Sequence, residues 1–79
     1  MVKQKLHPLE LYVVNKVREM REERGWSQKE LAEKMDVGFS FIGDIESSNR
    51  AAKYNLRHIN KLAKIFNCSP KDFLPDKPV

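Results

Sequence analysis

Residues 27–47, SQKELAEKMDVGFSFIGDIES, decide the fold predicted for this chain. Ser27 and Glu30 have the spacing of a capping box, in which each side chain can bind the other residue's backbone N–H. Apolar residues then recur at helical spacing, which predicts a short helix that ends at about Met35. Asp36 follows where a tight turn needs left-handed backbone, which Asp tolerates better than most residues. The segment therefore begins with a helix and a turn.

A second short helix is predicted at about residues 39–47, with Gly38 as its cap. Ile42 and Ile45 supply its buried side. Its intrinsic helix propensity is poor because it contains two Phe, a Ser and a Gly, so packing must hold it. Two short helices joined by about four residues form a helix-turn-helix, whose second helix can enter the DNA major groove.

Helical periodicity on both sides of this segment predicts an all-α domain at residues 9–74, between a lead-in at 1–8 and a tail at 75–79. The first helix spans about 9–24, before the terminator Gly25. A fourth helix spans about 56–66, and a short fifth begins at Ser69. The apolar residues expected to face the core are Leu9, Tyr12, Val13, Val17, Met20, Leu31, Ala32, Met35, Ile42, Ile45, Leu56, Ile59, Leu62, Ala63 and Phe66.

The net charge is consistent with a nucleic-acid partner but does not by itself select one, because many small basic proteins bind no polyanion. The 79 residues carry 15 Lys and Arg against 11 Asp and Glu, a net charge of +4, and the pI is about 9.4. The single Cys68, read as a buried structural thiol, has no metal-ligand spacing with either His. No catalytic motif is visible, so we expect no cofactor, no metal and no enzyme activity. Without a signal peptide or membrane span, a cytoplasmic protein is expected.

Several segments together resemble the Cro/CI (XRE) family of helix-turn-helix DNA-binding domains. They are Arg21, GWSQKELAEKMDV at residues 25–37, Ile42, Ile45–Glu46 and LAKIFNCSPKDFL at residues 62–74. The resemblance covers roughly residues 13–74. It implies a five-helix, lambda-repressor-like domain that binds double-stranded operator DNA, usually as a two-fold dimer. It also implies an ion pair between Arg21 and Glu46, which lie 25 residues apart, tying the first helix to the end of the third.

The resemblance places base-reading residues at Phe39, Ser40 and Asp44, and a phosphate contact at Gln28. Chemically, Phe39 can pack on a thymine methyl, Ser40 can donate or accept, and Asp44 can accept from cytosine. No Gln, Asn or Arg stands on this face, and exposed Phe39 and Phe41 can instead bind a protein. The full predicted DNA-contacting set is Ser27, Gln28, Gly38, Phe39, Ser40, Phe41, Asp44, Asn49, Arg50, Lys53 and Tyr54.

The sequence therefore predicts a DNA-binding transcriptional regulator, a repressor that acts as a homodimer. The alternative is an antitoxin or other protein-binding module that uses the same domain to hold a toxin-type partner. Candidate residues for the dimer surface are Ile65, Phe66, Phe73 and Leu74. Lys3 and Lys5 in the lead-in can form a DNA-contacting arm.

Overall fold

Four α-helices and a terminal 3₁₀-helix make up the domain in the computed structural model, which describes residues 6–47 and 52–79. The helices are α1 (Pro8–Glu23), α2 (Gln28–Met35), α3 (Phe41–Glu46), α4 (Leu56–Phe66) and the 3₁₀-helix Pro70–Phe73. The all-α prediction is confirmed, with the fifth helix reduced to one 3₁₀ turn. In the described ranges, no helix has the length and apolar character needed to cross a membrane.

Capping boxes start three of these α-helices. In the predicted box, the Glu30 N–H donates to Ser27 Oγ at 3.0 Å, and the Ser27 N–H donates to Glu30 Oε1 at 3.1 Å. The other two boxes use His7 at the start of α1 and Asn55 at the start of α4. Neither was predicted from the sequence, because each contains a His where a capping box usually has Ser, Thr, Glu or Gln.

Left-handed residues stand at the carboxyl ends of α1, α2 and α4. Gly25 follows α1 with φ +70°, and the predicted left-handed Asp36 ends α2 with φ +57°. Asn67 ends α4 in the same way, with φ +56°. Side chains remote in sequence bind the last carbonyl of two of these helices, α2 and α4. Lys61 Nζ donates to the Met35 carbonyl, and Arg24 Nη2 donates to the Phe66 carbonyl, each at 2.8 Å.

The start of α3 differs from the prediction. The helix begins at Phe41, and its N-cap is Ser40, which has right-handed backbone and makes no side-chain capping bond. The prediction that Gly38 caps this helix is therefore wrong. The Gly38 carbonyl instead accepts the Phe41 N–H at 3.0 Å, so the turn extends two residues further before the helix begins.

One hydrophobic core joins α1, α2, α3, α4 and the 3₁₀-helix. Leu56, predicted to be in the core, is 86% exposed: it is the first residue of α4, and the buried side of that helix begins only at Ile59. Leu9 and Tyr12 in α1 are also exposed. The buried apolar residues are Val13, Val14, Val17, Leu31, Ala32, Met35, Ile42, Ile45, Ile59, Leu62, Ala63, Phe66 and Phe73.

Candidate nucleic-acid interface

The Glu46 side chain connects α3 to α1 and α2 through hydrogen bonds. Its Oε2 accepts from Arg21 Nε at 3.0 Å, and its Oε1 accepts from Arg21 Nη2 at 3.0 Å and from Gln28 Nε2 at 2.9 Å. The Glu46 side chain is only 3% exposed and that of Arg21 10%. Arg21 Nη1 also donates to the Trp26 carbonyl at 2.7 Å. The predicted ion pair is confirmed, and it fixes the carboxyl end of α3 to α1 and α2.

The Gln28 side chain packs against α3 at Gly43, which has no side chain of its own. A Cβ added to Gly43 would lie 3.2 Å from Gln28 Oε1, which is tighter than ordinary van der Waals contact. Gly43 thus leaves room for the amide that Glu46 orients. The contacts of Gln28 with Glu46 and Gly43 brace α3 against α2, while its phosphate contact stays a prediction.

Phe39 and Ser40 form the exposed start of the outward face, and Asp44 lies half-buried further along it. Phe39 is 60% exposed. Lys29 Nζ lies 4.9 Å from the centre of its ring, a cation–π distance. This contact was not predicted from the sequence. No sequence pattern pairs Lys29 with Phe39, because their distance is set by the packing of α2 against the start of α3.

Phe41 is half-buried, unlike the exposed Phe39, and its predicted DNA contact stays a prediction. It packs against the core, with its ring centre 5.0 Å from that of His58 and 6.3 Å from that of Tyr54. With Ile42 and Ile45 buried, a helix that starts at Phe41 turns this ring towards α4. The expected exposed pair of Phe39 and Phe41 is therefore divided between surface and interior.

Tyr54 is also turned inward, against the prediction of a phosphate contact. Its hydroxyl is buried and has no hydrogen-bond partner among the described residues. Burial, followed by the negative charge of Glu46, raises the pKa of Tyr54. His58 packs against Phe41 and Tyr54, and burial, with Lys61 second, lowers its pKa.

The basic segment after α3 is only partly described. Lys53, a predicted DNA-contacting residue, has its Nζ 2.8 Å from Glu10 Oε2. A DNA phosphate would have to displace the Glu10 carboxylate to bind Lys53. The hydrogen bond from Lys53, followed by that from the His7 N–H, lowers the pKa of Glu10. The predicted contacts Asn49 and Arg50 lie outside the described residues, as do Lys3 and Lys5.

Cys68 is half-buried, and burial, with Asp72 second, raises the pKa of its thiol, which favours the unreactive protonated form. Within residues 6–47 and 52–79, no group of three His, Cys, Asp or Glu side chains is placed to hold a metal ion.

Similarity to known proteins agrees with this arrangement. A helix-turn-helix family model matches residues 17–73. The fold is similar to a hypothetical transcription factor, NHTF, from Neisseria, with a TM-score of 0.73 and 22% identity over 95% of this chain and 87% of that one. A comparison with curated proteins gives no match.

Two further similar structures are regulators. The restriction-modification controller protein C.AhdI from Aeromonas hydrophila has a TM-score of 0.66 and 28% identity, over 80% of this chain and 92% of that one. SinR, the master regulator for biofilm formation, was solved in complex with DNA. It has a TM-score of 0.64 and 24% identity, over 77% of this chain and 95% of that one. The chain belongs to the Cro/CI (XRE) type of the helix-turn-helix family, which consists of DNA-binding transcription regulators.

Proposed function

We propose that this protein is a sequence-specific transcriptional repressor that binds operator DNA as a homodimer and places α3 in the major groove. The observation that carries the proposal is the three-way connection at Glu46. Its nearly buried carboxylate accepts three hydrogen bonds, two from α1 and one from α2. A helix of six residues held in this way presents a fixed outward face, which base recognition requires.

Phe39, Ser40 and Asp44 are the proposed base-contacting residues. Ser40 makes no side-chain capping bond, so its hydroxyl can donate to or accept from a base edge. The Asp44 carboxylate suits the amino group of cytosine and disfavours bases that present only acceptors there. Direct readout therefore depends on few contacts, which makes a modest selectivity per half-site the expected behaviour.

The start of α2 is the proposed phosphate contact. Unpaired backbone N–H groups and the positive end of the helix dipole favour an anion at this position. Ser27 and Gln28 are exposed there, and Gly38 is exposed in the turn that follows α2. The Ser27 hydroxyl accepts from Glu30, which leaves its own hydrogen for a phosphate oxygen.

The basic residues after α3 are proposed to differ in their contribution to salt dependence. Removing a side chain that binds one phosphate makes the slope of log affinity against log salt shallower by about one. We expect this change for Arg50→Ala. We expect none for Lys53→Ala, because Glu10 already neutralises that ammonium. A shallower slope for Lys53→Ala would instead place Lys53 on the DNA backbone.

A dimer is proposed because a single α3 reads too few bases for tight selection, and two-fold pairing doubles the number of half-sites. Of the predicted dimer residues, Phe66 and Phe73 fill the core, whereas Leu74 remains exposed. Leu74 borders a shallow depression together with Tyr12 and Lys16. Sedimentation equilibrium tests the state in solution: a mass of about twice 9.3 kDa is expected, and a monomer on bound operator would contradict pairing.

A toxin-type protein partner is the alternative function. Its sequence support was the exposed pair of Phe39 and Phe41, and with Phe41 packed inward a single exposed Phe is a small docking surface. We therefore favour DNA as the partner of this face.

Selection of bound sequences from a random DNA pool tests the proposal. Enrichment of a two-fold symmetric sequence is expected, and a reporter gene placed behind that sequence should be expressed less when the protein is present. Binding without any enrichment would exclude a sequence-specific regulator.

A further inference from the structure

The ring of Phe39 is held in place by a cation from the neighbouring helix. Lys29 Nζ lies 4.9 Å from the ring centre, while the residue as a whole is 60% exposed. An exposed Phe without such a contact samples several rotamers, and ordering it on binding costs entropy. The ammonium therefore limits the freedom of a ring that still presents most of its surface outward.

Two consecutive residues of α2 make matching contacts with the α3 region. Gln28 lies over Gly43, and Lys29 lies over Phe39, four residues earlier. Phe39 and Gly43 are thus on the same side of the segment, next to the residues proposed to meet the phosphates. The Phe39 ring lies between the start of α2, which is proposed to contact DNA phosphates, and the face proposed to read bases.

Charge on this surface favours DNA over protein as the occupant. Among the described residues, Lys29 makes no salt bridge, so its ammonium is available to a phosphate while it remains over the ring. An apolar ring beside a cation that no carboxylate in the described part of the chain neutralises matches a major-groove edge, where a thymine methyl lies close to the sugar–phosphate backbone.

We propose that Phe39, positioned by Lys29, reads the 5-methyl group of one thymine in each half-site, while Lys29 contacts the adjacent phosphate. This inference rests on the proposed function, because it assigns a specific base feature to the same surface. It accounts for selectivity on a face that lacks the Gln, Asn and Arg side chains that usually read bases.

Replacing thymine by uracil removes only this methyl group and leaves the hydrogen-bonding edge unchanged. Using the operator from the random-pool selection, each thymine is replaced in turn and binding is measured by fluorescence anisotropy. Removing one methyl-sized apolar contact should weaken binding about fourfold at one position of each half-site. Replacements elsewhere should change the affinity little.

Variants assign the effect to residues. Phe39→Ala should abolish the difference between thymine and uracil. Lys29→Gln should reduce that difference and make the salt slope shallower by about one. Lys34→Gln is the matched control, because Lys34 lies on the same helix with its Nζ 4.6 Å from the Trp26 ring centre, and it should change neither quantity.

Each outcome decides a separate point. Enrichment of an operator with no thymine position sensitive to the methyl group would overturn this inference and leave the proposed function standing. A methyl effect that persists in Phe39→Ala would assign the reading to another group. Full DNA affinity in Phe39→Ala would point to a protein contact for this ring, and absence of any enrichment would overturn the proposed function itself.

Discussion

Replacing Glu46 by Gln tests how much the buried ion pair contributes to stability. The substitution keeps the shape of the side chain but removes its charge, leaving the guanidinium of Arg21, 10% exposed, without an anion. One of the two Glu46 oxygens becomes an NH₂ group that faces an Arg donor. Removing one partner of such a pair costs about 3–5 kcal/mol. A chain of 79 residues has a total stability of roughly 4–12 kcal/mol, so the variant should lose a large fraction of its stability.

Urea unfolding followed by circular dichroism at neutral pH measures this loss. Arg18→Ala is the matched control, because Arg18 and Glu22 form a pair on α1 with N–O distance 3.7 Å and more than half of each side chain exposed. It should cost no more than about 0.5 kcal/mol. A Glu46→Gln variant that is destabilised by less than about 1 kcal/mol would refute the buried-pair interpretation, since the pair would then behave like a surface contact.

Three other substitutions or conditions test the interior and the face of α3. Tyr54→Phe removes a buried hydroxyl that has no partner within residues 6–47 and 52–79 and should raise the free energy of unfolding by about 1 kcal/mol with unchanged DNA affinity; weaker DNA binding would restore Tyr54 to the interface. Gly43→Ala should add up to about 1 kcal/mol of helix stability but weaken DNA binding by displacing Gln28; unchanged affinity would contradict that bracing role. The lowered pKa of His58 means that the unfolded chain binds the proton more readily, so stability should be full above about pH 6.5 and fall as pH drops through the folded-state pKa. Urea midpoints between about pH 5 and 7.5 measure this trend. His58→Gln should remove it. A native protein without the trend would contradict the burial of the His58 ring.

Local signals explain why the helix-turn-helix could be predicted. The Ser27–Glu30 box and the left-handed Asp36 depend on neighbouring residues alone, and both are present in the structure. The pairing of Arg21 with Glu46 is not local. It was predicted because the resemblance to a known family supplied a long-range contact that periodicity cannot provide.

The base-reading face was predicted less well because it depends on where α3 starts. A start at Phe41 in place of residue 39 places the Phe41 ring against His58. Contacts across the chain, such as Lys29 with Phe39 and Lys53 with Glu10, have no sequence pattern. They follow from the packing of helices, which fixes distances between residues that are remote in sequence.

An altered-specificity variant tests most directly whether the outward face of α3 reads bases. Ser40→Arg removes no capping bond and supplies a side chain that binds guanine through two hydrogen bonds. Random-pool selection with this variant should yield a new preference for guanine at one position of each half-site and the native preference elsewhere. A folded variant that binds DNA with the native preference at every position would contradict base reading at the start of this face.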